Sequence, residues 1–212
     1  MTGKAKDMVI ARRAITFFNQ HSPEWTHPYA YNGRGTLHTS GCGIFALCHG
    51  IQWLTGMVQD PCALADFSCA HGGRGDDGTD RPALLQALED TGEAASFGFR
   101  YNGDGLRNDL DALHDLLLTK QGIALCNLRP GHIVVLVDAR IRQGAIELLA
   151  IDSATESASE RVRNHVTEVV PGTEIVSDVC NDAGLKVGET VSYAAYWVDG
   201  HTPMDFNLLH KK

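Results

Sequence analysis

Three residues carry the side chains that a nucleophile, its base and an orienting acid would need. Cys42 lies between two glycines in "SGCGIFALCH" (40–49), directly before an apolar run. A cysteine nucleophile needs a lowered pKa, a histidine within hydrogen-bond reach and a third group to hold the imidazole. A helix starting at Cys42 turns unpaired backbone N–H groups and the positive end of its dipole toward the sulfur. That dipole supplies only about 0.3–1 kcal/mol at exposed sites, less than one pKa unit at roughly 1.4 kcal/mol each. Strong activation therefore requires an imidazolium partner. The flanking glycines let backbone or substrate come close. The plain alternative is that Cys42 is a small core residue beside a tight turn.

The candidate partner is His132 in "RPGHIVVLVDA". Pro130 and Gly131 form a turn, and His132 opens an apolar strand on which Ile133, Val135 and Val137 alternate with Val134 and Leu136. Asp152 closes the next strand, "ELLAID", where a hairpin brings it alongside His132. Asp is also a common turn residue. Asp138 competes for the orienting role but ends the strand that His132 begins, which puts it far away. Among the other histidines, His49 falls on the helix after Cys42 and is expected to cap or pack, while His38 could face the cleft. His27, His71, His114, His165, His201 and His210 show no paired spacing and are expected at the surface. A metal site of His38, Cys42 and His49 is the weakest reading.

The elements that must position these groups follow from periodicity. Ile44, Leu47, Cys48, Ile51 and Leu54 recur at helical spacing from Cys42, and Gly56 is a stop signal. "DPCALADFSCAH" starts a second helix with Asp60 as cap and Pro61 at its first position. "RPALLQALEDTG" is a third, between Asp80 and Gly92, and "DLDALHDLLLTKQG" a fourth, ending at Gly122. "IALCNL", "HIVVLVDARI", "AIELLAID", "HVTEVV", "EIVSDV" and "YAAYWVDG" then read as strands. Residues 8–20 are mixed in period, a strand or a short helix. The loop that follows is packed by Trp25, Tyr29 and Tyr31; Trp25, Trp53 and Trp197 are core anchors. "DSATESASERVRN" reads as a polar loop or short helix. Helices first and strands afterwards imply an α+β fold, with an antiparallel sheet against a helical half.

The chain has 212 residues, 43% hydrophobic and 21% charged, with formal net charge −8. These values suit a single globular domain and give no basic stripe for nucleic acid. "ARR" (11–13) and the terminal "HKK" are short surface clusters. The glycine-rich "GGRGDDGTD" lacks the Gly-Lys-Ser/Thr of a phosphate loop, and its aspartates repel phosphate. The six cysteines form no CxxC pair, which argues against a zinc ribbon; several sit in apolar runs, as free buried thiols do. No cofactor is expected. No run is long enough to span a bilayer, and the N-terminus does not read as a secretory signal, so the expected location is cytoplasmic.

Taken in order, "NQHSPEW" (19–25), "SGCG" (40–43), "LTG" (54–56), Gly131-His132 and Asp152 resemble the motifs of papain-like cysteine peptidases of the bacteriocin-leader (double-glycine) type, a bacterial family, and their stand-alone relatives. The likeness covers roughly residues 15–155. Ile44 and Phe45 stand where that family has Pro-Thr, and His21 and Ser22 replace residues closer to Arg-Asp. The resemblance implies a papain-like fold over residues 1–212, with a helical half (about 1–120) carrying Cys42 and a β half (about 121–212) carrying His132 and Asp152. It assigns Gln20 to the oxyanion hole, where a neutral amide donor meets developing negative charge. The implied activity is hydrolysis of a peptide or amide bond through an acyl-enzyme thioester, on a peptide or protein substrate. Acyl transfer to an amine, or peptide binding without turnover, are the alternatives.

Overall fold

In a computed structural model, residues 5–103, 109–154, 165–180 and 185–212 are described; the polar stretch 155–164, expected from its composition to be a loop or short helix, lies outside them. The chain opens with a hairpin of β1 (Ala5–Ile10) and β2 (Arg13–Phe18), followed by β3 (Pro28–Tyr31), β4 (Arg34–Thr36) and the single turn α1 (Leu37–Ser40). Then come α2 (Cys42–Thr55), α3 (Pro61–Ala70), the short pair β5 (Arg74–Gly75) and β6 (Gly78–Thr79), α4 (Arg81–Thr91), α5 (Glu93–Ser96), β7 (Phe99–Arg100) and α6 (Leu110–Leu118). The remainder is strands: β8 (Gly122–Arg129), β9 (His132–Arg142), β10 (Ala145–Ile151), β11 (Val166–Val169), β12 (Glu174–Cys180), β13 (Lys186–Tyr193), β14 (Ala195–Asp199) and β15 (Asp205–Lys211). The fold is α+β.

Its centre is a seven-stranded sheet in the order β11-β14-β10-β9-β8-β15-β7, with antiparallel neighbours throughout. Alternation divides β9 between two cores. Ile133, Val135 and Val137 pack with Ile123, Leu125 and α2 on one face. Val134 and Leu136 pack with Ala124, Cys126, Phe206, Leu208 and the Leu113, Leu116 and Leu117 stripe of α6 on the other. The helices therefore do not form one half: α2 and α6 cover opposite faces of the sheet. Helix α2 comes so close at Gly50 that a Cβ there would lie 2.4 Å from Ile123 Cδ1 and 3.2 Å from Val135 Cγ2.

Local signals account for most boundaries. Asp60 and Asp80 cap α3 and α4 by accepting from Cys62 N–H and Ala83 N–H, and Gly56 and Gly92 end α2 and α4 in the left-handed region. The fourth expected helix stops at Leu118, not at Gly122; Lys120 turns the chain at φ 59, and Gly122 already begins β8. Within residues 8–20, the chain to Phe18 is strand, reversed at Ala11 and Arg12, both with positive φ, and Asn19 and Gln20 lie beyond the strand. The order is not simply helices before strands, because two hairpins precede α2. Trp25, Trp53 and Trp197 are buried, as is Tyr29, but Tyr31 is 40% exposed and does not pack the loop. His114 is buried rather than at the surface, with Nε2 2.8 Å from the Gly200 carbonyl oxygen. Among the described residues no helix is long and apolar enough to cross a membrane.

Candidate active site

Helix α2 starts at Cys42 because Gly41 ends α1 and takes the cap position, its carbonyl accepting from Phe45 N–H. The first N–H groups of α2 have no carbonyl one turn back, and those of Gly43 and, from β9, Ile133 reach the Cys42 sulfur. His132 enters from the sheet. A two-residue turn, Pro130-Gly131 with Gly131 at φ 74, puts it at the start of β9 opposite Arg129. Asp152 directly follows β10, whose Ile151 lies opposite Val135, and its N–H extends the sheet by bonding Ala194 O at 2.9 Å.

These elements bring the three side chains into one buried line. His132 Nε2 lies 2.7 Å from Asp152 Oδ1. The second imidazole nitrogen, Nδ1, is left for the hydrogen bond between His132 and the Cys42 thiol. Asp152 is held in turn: Tyr196 Oη donates to Oδ2 at 2.8 Å, and Ala154 N–H donates to Oδ1 at 3.0 Å. Tyr196 is legible in the sequence only as part of a strand; nothing in its spacing marks it as the clamp on this carboxylate.

The electrostatics follow from this contact set. Burial pushes the Cys42 thiol up, but the hydrogen bond and positive charge of His132 and the N–H groups of Ile133 and Gly43 outweigh it, so the pKa is lowered. Burial disfavours imidazolium at His132, yet Asp152 and Cys42 raise its pKa to about 10. Asp152 is held below its ordinary value: burial raises it, and His132, Tyr196 and Ala154 N–H more than reverse that. By contrast, burial, reinforced by nearby negative charge from Asp60 at Cys48 and from Asp205 and Asp152 at Cys126, raises these two thiols far above the ordinary range. The signs set a stability window. The raised His132 pKa gives stability that is complete below the ordinary 6.5 and is lost as pH rises through about 10. The lowered Asp152 pKa gives stability present above its ordinary 3.8 and lost as pH falls below it.

Gln20 sits beside this line. Its backbone N–H donates to Ser153 O at 2.8 Å, tying it to the residue after Asp152. Its side-chain nitrogen donates to His38 O at 3.2 Å, and its carbonyl oxygen lies 3.4 Å from Ser153 Oγ. A carboxamide has two N–H groups, so one remains after the bond to His38. His38 Nδ1 lies 3.1 Å from Gln20 O and 3.2 Å from Ser22 O, bracing the loop that carries Gln20. His49 packs in the core, stacked on Phe17 and Phe18, its Nε2 accepting from Phe18 N–H at 2.9 Å; burial lowers its pKa to about 3. His38, Cys42 and His49 thus make no metal cage, and among the described residues no group of three or more His, Cys, Asp or Glu could hold a metal ion. Asp138 is at the far part of β9, opposite Leu149, in an ion pair with Lys120. Cys42, Cys48, Cys62, Cys69 and Cys126 are not joined in disulfides.

Cys42 opens on a groove of about 240 Å³ between the α4 start and β5–β6 segment on one wall and Asn127, Gly131 and Ile133 on the other. The hairpin wall is fixed to α2 itself. A Cβ on Gly43 would lie 2.5 Å from Thr79 Cβ, and Thr79 Oγ1 is bonded to Tyr29 Oη at 2.9 Å. Alanine ordinarily favours a helix over glycine by about 1 kcal/mol. Here the clash reverses the sign, and we expect Gly43→Ala to destabilise the protein by about 1–3 kcal/mol, measured by urea unfolding.

No protein-family model matches this chain, and no curated protein matches it either.

Proposed function

We propose that the protein is a papain-like thiol hydrolase that cleaves a peptide or amide bond. The observation that carries this reading is the buried hydrogen-bonded line from the Cys42 thiol through His132 to Asp152, at the wall of an open groove. Cys42 thiolate attacks the carbonyl carbon; the C–S bond forms and the π electrons move to oxygen. The Cys42 N–H and the remaining Gln20 N–H are the donors assigned to that oxyanion. When the tetrahedral species collapses, the C–N bond breaks and His132 gives its proton to the leaving amine. The thioester is then opened by water: His132 takes one proton, hydroxide adds to the carbonyl, and collapse returns the thiolate and frees the acid. Asp152 keeps the imidazole in the tautomer that aims Nδ1 at sulfur and stabilises the imidazolium, without itself taking the proton.

The test is mass spectrometry of a peptide library incubated with the full chain. Cleavage products that sum to substrate plus one water, absent with Cys42→Ala, are expected. Products in which the acyl part is joined to an added amine would instead favour acyl transfer. Binding of library members without any new product, or cleavage that survives Cys42→Ala, would overturn the proposal.

A further inference from the structure

The groove beside Cys42 can be read by asking which of its polar groups are already used. Arg81 is buried, with its guanidinium donating to Leu125 O at 3.2 Å and to Asp205 Oδ1 at 2.8 Å. Asp80 caps α4 through Ala83 N–H at 3.1 Å, and Thr79 is bonded to Tyr29. Two polar side chains are left: the exposed Asp77 on the hairpin wall and the half-buried Asn127 on the sheet wall.

Asn127 is placed by the sheet. On β8, Ile123 and Leu125 face the α2 side while Ala124 and Cys126 face the other. Asn127 continues the first set, opposite Ile133, its neighbour in the groove wall. Its backbone carbonyl is occupied by Met204 N–H at 2.9 Å. Among the described residues, no protein group hydrogen-bonds its carboxamide. A carboxamide offers one acceptor and two donors, the complement of a main-chain peptide group. The groove's 240 Å³ is below the roughly 300–1,000 Å³ of pockets for drug-sized ligands, so it suits small residues of an extended chain.

Resting on the hydrolase reading above, we propose that Asn127 is a substrate-binding residue: its carboxamide pairs with the main-chain amide next to the scissile bond, and the substrate is an extended peptide rather than an isolated amide. A net hydrogen bond of this kind is worth about 0.5–1.5 kcal/mol, or roughly 2–13-fold in binding.

The test compares two reagents on the full chain: iodoacetamide, which needs only a reactive thiolate, and N-acetyl-alanyl-alanine chloromethyl ketone, which also presents a peptide backbone. Asn127→Ala should leave the iodoacetamide rate at Cys42 within about two-fold and slow the peptidyl reagent roughly 2–13-fold. N-methylation of that reagent's amide next to the reactive residue should slow the parent protein equally, and the two losses should not add. If Asn127→Ala leaves the peptidyl rate unchanged, or if the losses add in full, Asn127 does not read the backbone and the proposal fails. Should the alanine variant also lose its iodoacetamide reaction, the isosteric Asn127→Asp, which keeps an acceptor but drops the donors, replaces it in the same comparison. A slower peptidyl reaction with losses that do not add then supports the proposal, and an unchanged rate or full additivity overturns it. Failure of the parent protein to react at Cys42 with either reagent would instead sink the hydrolase reading itself.

Discussion

Replacing His132 with alanine is expected to slow alkylation of Cys42 at neutral pH by about 100-fold or more, the lower end of what a positioned proton-transfer group contributes. The sign follows from the balance at the sulfur. Cys42 is only 9% exposed, and burial raises its pKa; the interactions that lower it are led by the hydrogen bond and charge of His132. Without the imidazole, the N–H groups of Ile133 and Gly43 stay, but hydrogen bonds from neutral donors do not replace a full charge in a dry site. Cys42 should then behave like Cys48 and Cys126, whose buried thiols are pushed up. The measurement is the pseudo-first-order rate of iodoacetamide incorporation at residue 42, with urea unfolding as a check that the variant is folded. A rate within a few-fold of the parent's would mean that the imidazole does not activate this thiol.

Asp152→Ala is expected to have the largest effect on stability. Asp152 and His132 are both buried and 2.7 Å apart, and removing one partner of a buried pair costs about 3–5 kcal/mol because the other is left uncompensated. The Tyr196 hydroxyl and the Ala154 N–H would also lose their acceptor. Urea unfolding at pH 7 reads the loss directly. Asp152→Asn separates stability from chemistry: it keeps the shape but replaces an acceptor oxygen with an N–H or a weaker carbonyl, so His132 loses its fixed tautomer and its counter-charge. If the hydrolase reading holds, turnover should fall by about 100–10,000-fold. Tyr196→Phe removes only one hydrogen bond to a charged group, and should cost about 1.5–3 kcal/mol. A fully stable Asp152→Ala protein would show that the buried pair does not form.

How much of this the sequence discloses differs by element. Helix α2 is legible because Ile44, Leu47, Cys48 and Ile51 repeat on one face and Gly56 marks its end. The strands around His132 and Asp152 are legible because their apolar runs are bounded by Pro130-Gly131 and by a polar turn. The N-terminal hairpin is not, since its turn uses Ala11 and Arg12 at positive φ rather than the glycine or asparagine that announces such a turn. Strand β15 escapes sequence reading: it is inserted between β8 and β7, a pairing over some eighty residues of chain that no local pattern records. Helix α6 shows its apolar stripe but not which face of the sheet it will cover. At the site, Cys42, His132 and Asp152 stand out as residue types at strand and helix ends. The Tyr196 hydroxyl and the fixing of Gln20 by Ser153 and His38 depend on side chains that meet only after the sheet is assembled.

The central claim, that a sheet-borne imidazole activates the thiol at the start of α2, is tested most directly by residue-resolved mass spectrometry of all six cysteines after brief iodoacetamide treatment at pH 6. Accessibility alone would favour Cys69, which is exposed, over Cys42, which is buried. The thiolate–imidazolium account predicts the reverse order, with Cys42 modified well ahead of Cys69 and of every other cysteine. Modification of Cys69 first, with Cys42 left untouched, would contradict it.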